Sequence, residues 1–175
     1  SMKKKLLAII LITNFFSISS FAQCNFGINL GDKYPKSFKD KYGELDLTAS
    51  LHQFNEKADK VCASNTFENI DVEYTFIYGE LGSIELKALN DQNNTVTKKF
   101  ILMNYAKTTY GEFNTGTNPQ AFNYFNIWRK NNSIVLYKRM LGSENVWDES
   151  IYITNKEYKD KISAAKAFSE GIMEK

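Results

Sequence analysis

The chain predicts an α+β fold: an antiparallel sheet made from two helix-plus-β-meander units, packed by helices and closed by a C-terminal helix. Three observations predict it. The tripeptide Tyr-Gly-Glu occurs at 42–44, 78–80 and 110–112, and its first and third copies end stretches of helical periodicity. Each of those two stretches leads into runs in which apolar and polar residues alternate. Near the end, Tyr158, Ile162, Ala165, Phe168 and Ile172 form one apolar stripe at helical spacing.

The first segment is expected to be removed from the mature protein. Lys3, Lys4 and Lys5 precede an uncharged apolar run from Leu6 to Phe16, and Ser20-Phe21-Ala22 fits the small-x-small rule of signal peptidase. A signal peptide over residues 1–22 is therefore expected, with Ser1 a tag scar and residues 23–175 a single α+β domain. The apolar run has 11 residues, against roughly 20 needed to span a bilayer, so no stable membrane span is expected after cleavage. Gln23 stands where a lipoprotein signal carries Gly, Ala or Ser, which argues against a lipid on Cys24. These features predict a protein of the periplasm or the medium of a Gram-negative cell.

Cleavage takes three of the 22 basic residues and none of the 20 acidic ones, leaving 19 and 20, a net charge near −1. The basic footprint of a nucleic-acid binder is thus missing, and no nucleic-acid partner is expected. Export also bears on Cys24 and Cys62, the only cysteines. A single pair in an oxidising compartment reads as one disulfide. No Cys-x-x-Cys occurs and His52 is the only histidine, so neither a metal site nor a cofactor is expected.

Taken in order, Lys36–Tyr42 predicts a short helix that carries Phe38 and Tyr42 on one face and stops at Gly43 in the left-handed conformation. Leu51, Phe54, Ala58 and Val61 share a helical face, and Ser50 with Gln53 fits a capping box, so an inserted helix is expected between Ser50 and Ala63. Val72, Tyr74, Phe76 and Tyr78 alternate with polar residues, as do Ile84, Leu86 and Ala88, which predicts strands near 70–78 and 83–89 with Gly79 and Gly82 bracketing the turn. Val96, Phe100, Met103 and Tyr110 predict the helix of the second unit, capped by Thr95 or Asn94 and ended by Gly111. Strands are expected at Phe122–Arg129, Ser133–Met140 and Glu149–Thr154, the first two joined by a tight turn at Lys130-Asn131-Asn132. The last helix begins near Lys156, with Thr154 and Glu157 as its capping box. Tyr-Gly-Glu alone is no motif, since its second copy falls at a strand end; the helical context of the other two is what repeats.

Residues 27–43, "GINLGDKYPKSFKDKYG", resemble the opening of the small periplasmic α/β modules typified by BamE-like outer-membrane assembly lipoproteins and the related β-lactamase-inhibitor-protein fold. Ile28, Gly31, Phe38, Tyr42 and Gly43 carry the resemblance. Asp32 replaces the usual Met, one extra residue separates Gly31 from Phe38, and no Pro follows Gly43. The resemblance implies a scaffold for protein–protein contact and carries over no site residues.

Catalytic signatures are missing: no GxSxG, HExxH, P-loop or GxGxxG occurs. His52 is placed on the polar side of its expected helix. Asp148 and Glu149 are neighbours on a strand, so they point to opposite faces and form no acid/base pair. No catalytic residue is therefore assigned. "FNYFNIW" at 122–128 puts Phe122, Tyr124 and Trp128 on one strand face and Phe125 and Ile127 on the other. One of those rows covers the core, and the other is a candidate contact surface. Tyr124, Trp128 and the loop residue Trp147 are the candidate binding residues, aromatic types that serve as interface anchors.

Two function classes follow. The first is a non-catalytic exported protein that binds another protein, as an inhibitor, immunity protein or assembly factor. The second is a binder of small ligands or glycans, up to a hydrolase with dispersed carboxylates. A flat aromatic patch favours the first, and a deep pocket lined by Tyr, Trp and carboxylates the second.

Overall fold

The computed structural model describes residues 23–63, 67–88, 101–114, 123–141 and 147–170. Its elements are α1 (Lys36–Tyr42), β1 (Leu51–Lys57), a 3₁₀ turn (Ala58–Lys60), β2 (Ile70–Ile77), β3 (Glu80–Ala88), α2 (Ile101–Tyr110), β4 (Tyr124–Lys130), β5 (Ser133–Leu141), β6 (Trp147–Thr154) and α3 (Lys156–Ser169). The expected signal peptide, the Asn94–Phe100 lead-in to α2, Phe122 and Ile172 lie outside the described residues.

The strands form one six-stranded antiparallel sheet in the order β1-β2-β3-β6-β5-β4. Two three-stranded meanders, each preceded by a helix, thus meet where β3 pairs with β6. The first meander differs from the expected one because Leu51–Lys57 is a strand, not a helix. Its apolar residues at helical spacing serve two sheet faces: Phe54 enters the main core, whereas Leu51 packs against α3 on the opposite side. Pairing with β2 through seven residue pairs overrides the local pattern. Cross-strand contacts hold that register, including Lys57 Nζ to Asp71 Oδ1 at 2.8 Å and Gln53 Nε2 to Glu73 Oε1 at 3.2 Å.

Tight hairpins follow from residues that accept positive φ. Tyr78 (φ 51°) and Gly79 (φ 78°) join β2 to β3, and Asn131 (φ 48°) and Asn132 (φ 65°) join β4 to β5. Two-residue loops of this kind match the right-handed twist of paired strands. Gly82 is therefore not part of the turn but lies within β3.

One face of the sheet carries the main core. The segment before α1 crosses it, tied by the Cys24–Cys62 disulfide and by Gly31 N–H to Leu81 O and Tyr34 N–H to Gly79 O, both at 2.8 Å. Phe38 packs edge-on to Tyr74 and Phe76, with ring centroids 5.1 and 5.4 Å away. Gly43 ends α1, as expected, but at φ 87° and ψ −176°, an extended positive-φ conformation rather than the left-handed helical one, and its carbonyl accepts from Tyr34 Oη at 2.9 Å. Over the second meander α2 buries Leu102, Tyr105 and Ala106.

On the opposite face α3 covers, among the described residues, one corner. Tyr158, Ile162 and Ala165 are buried against Ile77 and Leu51, while Phe168, expected in the same stripe, is 51% exposed. The cap is Asn155, whose side chain accepts from Tyr158 N–H at 2.9 Å. Thr154, the expected cap, instead donates to Gly82 O at 2.8 Å. Gly82 is the point of closest approach: a Cβ there would sit 2.9 Å from Ile77 Cγ2 and 3.0 Å from Ile162 Cδ1. Gly82→Val is expected to lift α3 and cost about 1–3 kcal/mol, read from urea unfolding.

Candidate functional site

Beneath α2 the sheet carries charged groups in its core. Arg139 and Glu149 stand opposite each other on β5 and β6, each 1% exposed. Tyr137 Oη donates to Glu149 Oε2 at 2.6 Å, the Leu102 amide donates to Oε1 at 3.3 Å, and Arg139 Nη1 lies 3.7 Å from Met103 Sδ. Burial pushes the Glu149 carboxyl up to about 7, against the opposing pull of the Tyr137 hydroxyl, the Leu102 amide and the Arg139 charge. The Tyr137 hydroxyl is pushed up as well, by burial first and then by the Glu149 charge.

This cluster fastens the start of α2 to the sheet. Because the folded carboxyl titrates higher than the unfolded one, its contribution to stability is fully present below about pH 4.5 and lost as pH rises through about 7. The wild type is expected to lose about 3 kcal/mol from this group between pH 5 and 8. Glu149→Gln should flatten that part of the slope in urea unfolding at both pH values. Asp148 is exposed while Glu149 is buried, so the adjacent carboxylates do point to opposite faces.

The candidate binding residues separate. Tyr124 and Trp128 lie on the covered face, 4% and 8% exposed. Phe113 wedges between them, its ring 5.6 Å from Tyr124 and 5.1 Å from Trp128, and Trp128 Nε1 donates to Glu112 O at 3.3 Å. Both are packing residues rather than surface anchors, because the chain after α2 folds over that row. Trp147 pairs with Leu141 at the start of β6, and its side chain lies outside the described residues. The exposed row of β4 is the other one: Phe125 is 65% and Ile127 37% exposed.

Those two residues belong to a broader apolar field. Ile127 stands beside Leu136, which stands beside Tyr152. Ile134 is half-buried on the same face, and Met140 is 49% exposed. The half-face on β1 to β3 is different: it presents Gln53, Glu73, Glu85 and Lys87, with Lys87 Nζ 2.8 Å from Glu73 Oε2. One outer face is thus polar and solvated over the first meander, and over the second carries an apolar row of Phe125, Ile127, Leu136 and Tyr152 with Arg129 and Lys138 at its margins. Contiguous exposed apolar surface of this kind marks interaction sites.

The clefts offer little chemistry. One of about 790 Å³ runs between the β4–β5 turn and the start of α3, lined by Arg129, Lys130, Asn131, Ile134, Lys156 and Lys159 among others. A second, of about 460 Å³, includes Tyr34, Tyr78, Glu44 and Glu80. Its carboxylates are already engaged, Glu44 by Lys39 at 3.3 Å and Glu80 by Tyr158 Oη at 2.7 Å. His52 lies on β1 rather than on a helix, its Nε2 2.9 Å from Asp46 O. Among the described residues no group of three or more His, Cys, Asp and Glu is placed to hold a metal ion. Compared with known families, curated proteins and solved structures, the chain finds no match.

Proposed function

We propose that the chain is an exported, non-catalytic protein, cut after Ala22, that works in the periplasm or medium by binding another protein through the outer face of β4, β5 and β6. An inhibitor, an immunity protein or an assembly factor fits that role. The observation that carries the reading is the uncovered apolar field around Phe125, Ile127 and Leu136, set beside a polar field on the same sheet face. The Cys24–Cys62 disulfide suits an oxidising compartment. Among the described residues no helix is long and apolar enough to cross a membrane. The resemblance of residues 27–43 to BamE-like modules supports the same class of role. For the glycan-binding alternative, the Arg- and Lys-lined cleft has no Trp or Tyr among its described lining residues, and the Tyr-lined one has its acids paired.

The test is affinity capture from the native envelope fraction, with the exported wild type and its Phe125→Lys variant as parallel baits. A partner retained by the wild type and lost by the variant is the expected result. Equal retention by both baits would place the interface elsewhere.

A further inference from the structure

We propose that β4 is a strand-addition site, at which an extended partner segment that carries apolar residues and an acidic residue on one face, two positions apart, pairs with the open edge of the sheet. Its apolar side chains seat beside Phe125 and Ile127, and its carboxylate, on the same face, meets Arg129 and Lys159. This inference rests on the protein-binding reading above and adds the mode of binding and the chemistry of the partner.

The first support is backbone supply. Among the described residues β4 is the last strand of the sheet and pairs only with β5. Among the described residues no backbone hydrogen bond from elsewhere reaches Tyr124–Lys130. A seven-residue edge strand presents a row of unpaired N–H and C=O groups, which an incoming strand satisfies.

The second support is that the other edge is protected and this one is not. On β1 the outward residues Gln53, Asn55 and Lys57 are polar or charged and exposed. Tyr42 Oη from α1 also reaches Asn55 O at 3.4 Å. Polar and charged edges of this sort discourage pairing. β4 instead carries Phe125 and Ile127 outward, continuous with Leu136 on the next strand.

Charge selects the occupant. Arg129, Lys130 and Lys159 surround the cleft at the end of β4, and none has an ion-pair partner among the described residues. The two acids of the cleft are taken: Asp160 pairs with Lys156 at 3.2 Å and Glu157 with Lys161 at 2.6 Å. Lys138, beside Phe125 on β5, adds a further positive charge. A second copy fits less well. In an antiparallel pair centred on Ile127, Arg129 of one copy would fall opposite Phe125 of the other, next to its Lys138. Positive charges would then flank Phe125 from both sides at each end, whereas an acidic side chain on that face neutralises them.

The experiment is panning of a random-peptide phage library on the exported, disulfide-bonded protein, followed by hydrogen exchange with the selected peptides. Expected are peptides that place apolar residues and Asp or Glu at alternate positions of one strand face, i, i+2 and i+4, and protect the amides of β4. They should bind about tenfold more weakly or worse to Arg129→Glu and to Phe125→Lys, while both variants keep the wild-type melting temperature. Peptides that depend on Phe125 but are not acidic, or ignore Arg129→Glu, would overturn the acidic partner and leave the protein-binding reading standing. Binding without protection of β4 amides would overturn strand addition. Peptides indifferent to both substitutions, or no selection above the level of the variants, would overturn both readings. A concentration-dependent dimer broken by Ile127→Lys would assign the edge to a second copy and overturn the inference.

Discussion

Trp128→Ala is expected to cost about 3–5 kcal/mol of stability, the range for emptying a large aromatic site in a core. The indole lies 5.1 Å from Phe113 and 5.9 Å from Tyr110, and its Nε1–H satisfies the Glu112 carbonyl. Removing it opens a cavity and leaves that carbonyl without its donor. The chain after α2 then loses its anchor on β4. Phe125→Ala on the same strand, 65% exposed, should stay within about 1 kcal/mol of the wild type. Urea unfolding of the two variants reads the alternation of β4 as an energy difference; similar losses for both would contradict the burial pattern.

Cys62→Ser is expected to cost about 4 kcal/mol, since the disulfide closes a loop spanning 38 positions. The bond holds more than its own two residues. Asn25 N–H to Val61 O at 2.7 Å and Ala63 N–H to Gln23 O at 2.9 Å flank it, and Phe26 reaches Tyr74 with centroids 6.4 Å apart. Without the bond this segment, which buries Ile28 on the main core, loses its covalent tether. Material recovered from the exporting cell should show no free thiol by mass under non-reducing conditions. Two free thiols would contradict the pairing.

Much of the fold was legible because it is written in short-range chemistry. Asn131-Asn132 marks a hairpin, Gly43 and Gly111 mark helix ends at φ 87° and 115°, and the Tyr158, Ile162 and Ala165 spacing marks α3. β1 was not legible as a strand, because Leu51 and Phe54 mimic a helical face while serving opposite sides of the sheet. Recognising that needs the partner strand, which lies about 20 residues away in sequence. Thr154 and Asn155 both suit a helix start, and only the approach of Gly82 decides which one caps α3.

The site was half legible for the same reason. Alternation placed Tyr124 and Trp128 on one row of β4 and Phe125 and Ile127 on the other, but both rows are apolar. Which row is covered depends on where residues 111–114 cross the sheet, a tertiary fact. The burial of Glu149 was not legible, because nothing near it in sequence brings in Arg139, which the register of β5 and β6 supplies, or the Leu102 amide, which α2 supplies.

The central claim is that the apolar half of the outer face binds a protein and the polar half does not. It is tested most directly by the affinity of the captured partner for Phe125→Lys and Gln53→Lys, two exposed substitutions on opposite halves of one face; a lysine at 53 still reaches the Glu73 carboxylate that Gln53 contacts, so both should leave the melting temperature unchanged. Phe125→Lys is expected to weaken binding about tenfold or more and Gln53→Lys not at all. A partner released by Gln53→Lys and retained by Phe125→Lys would contradict that claim.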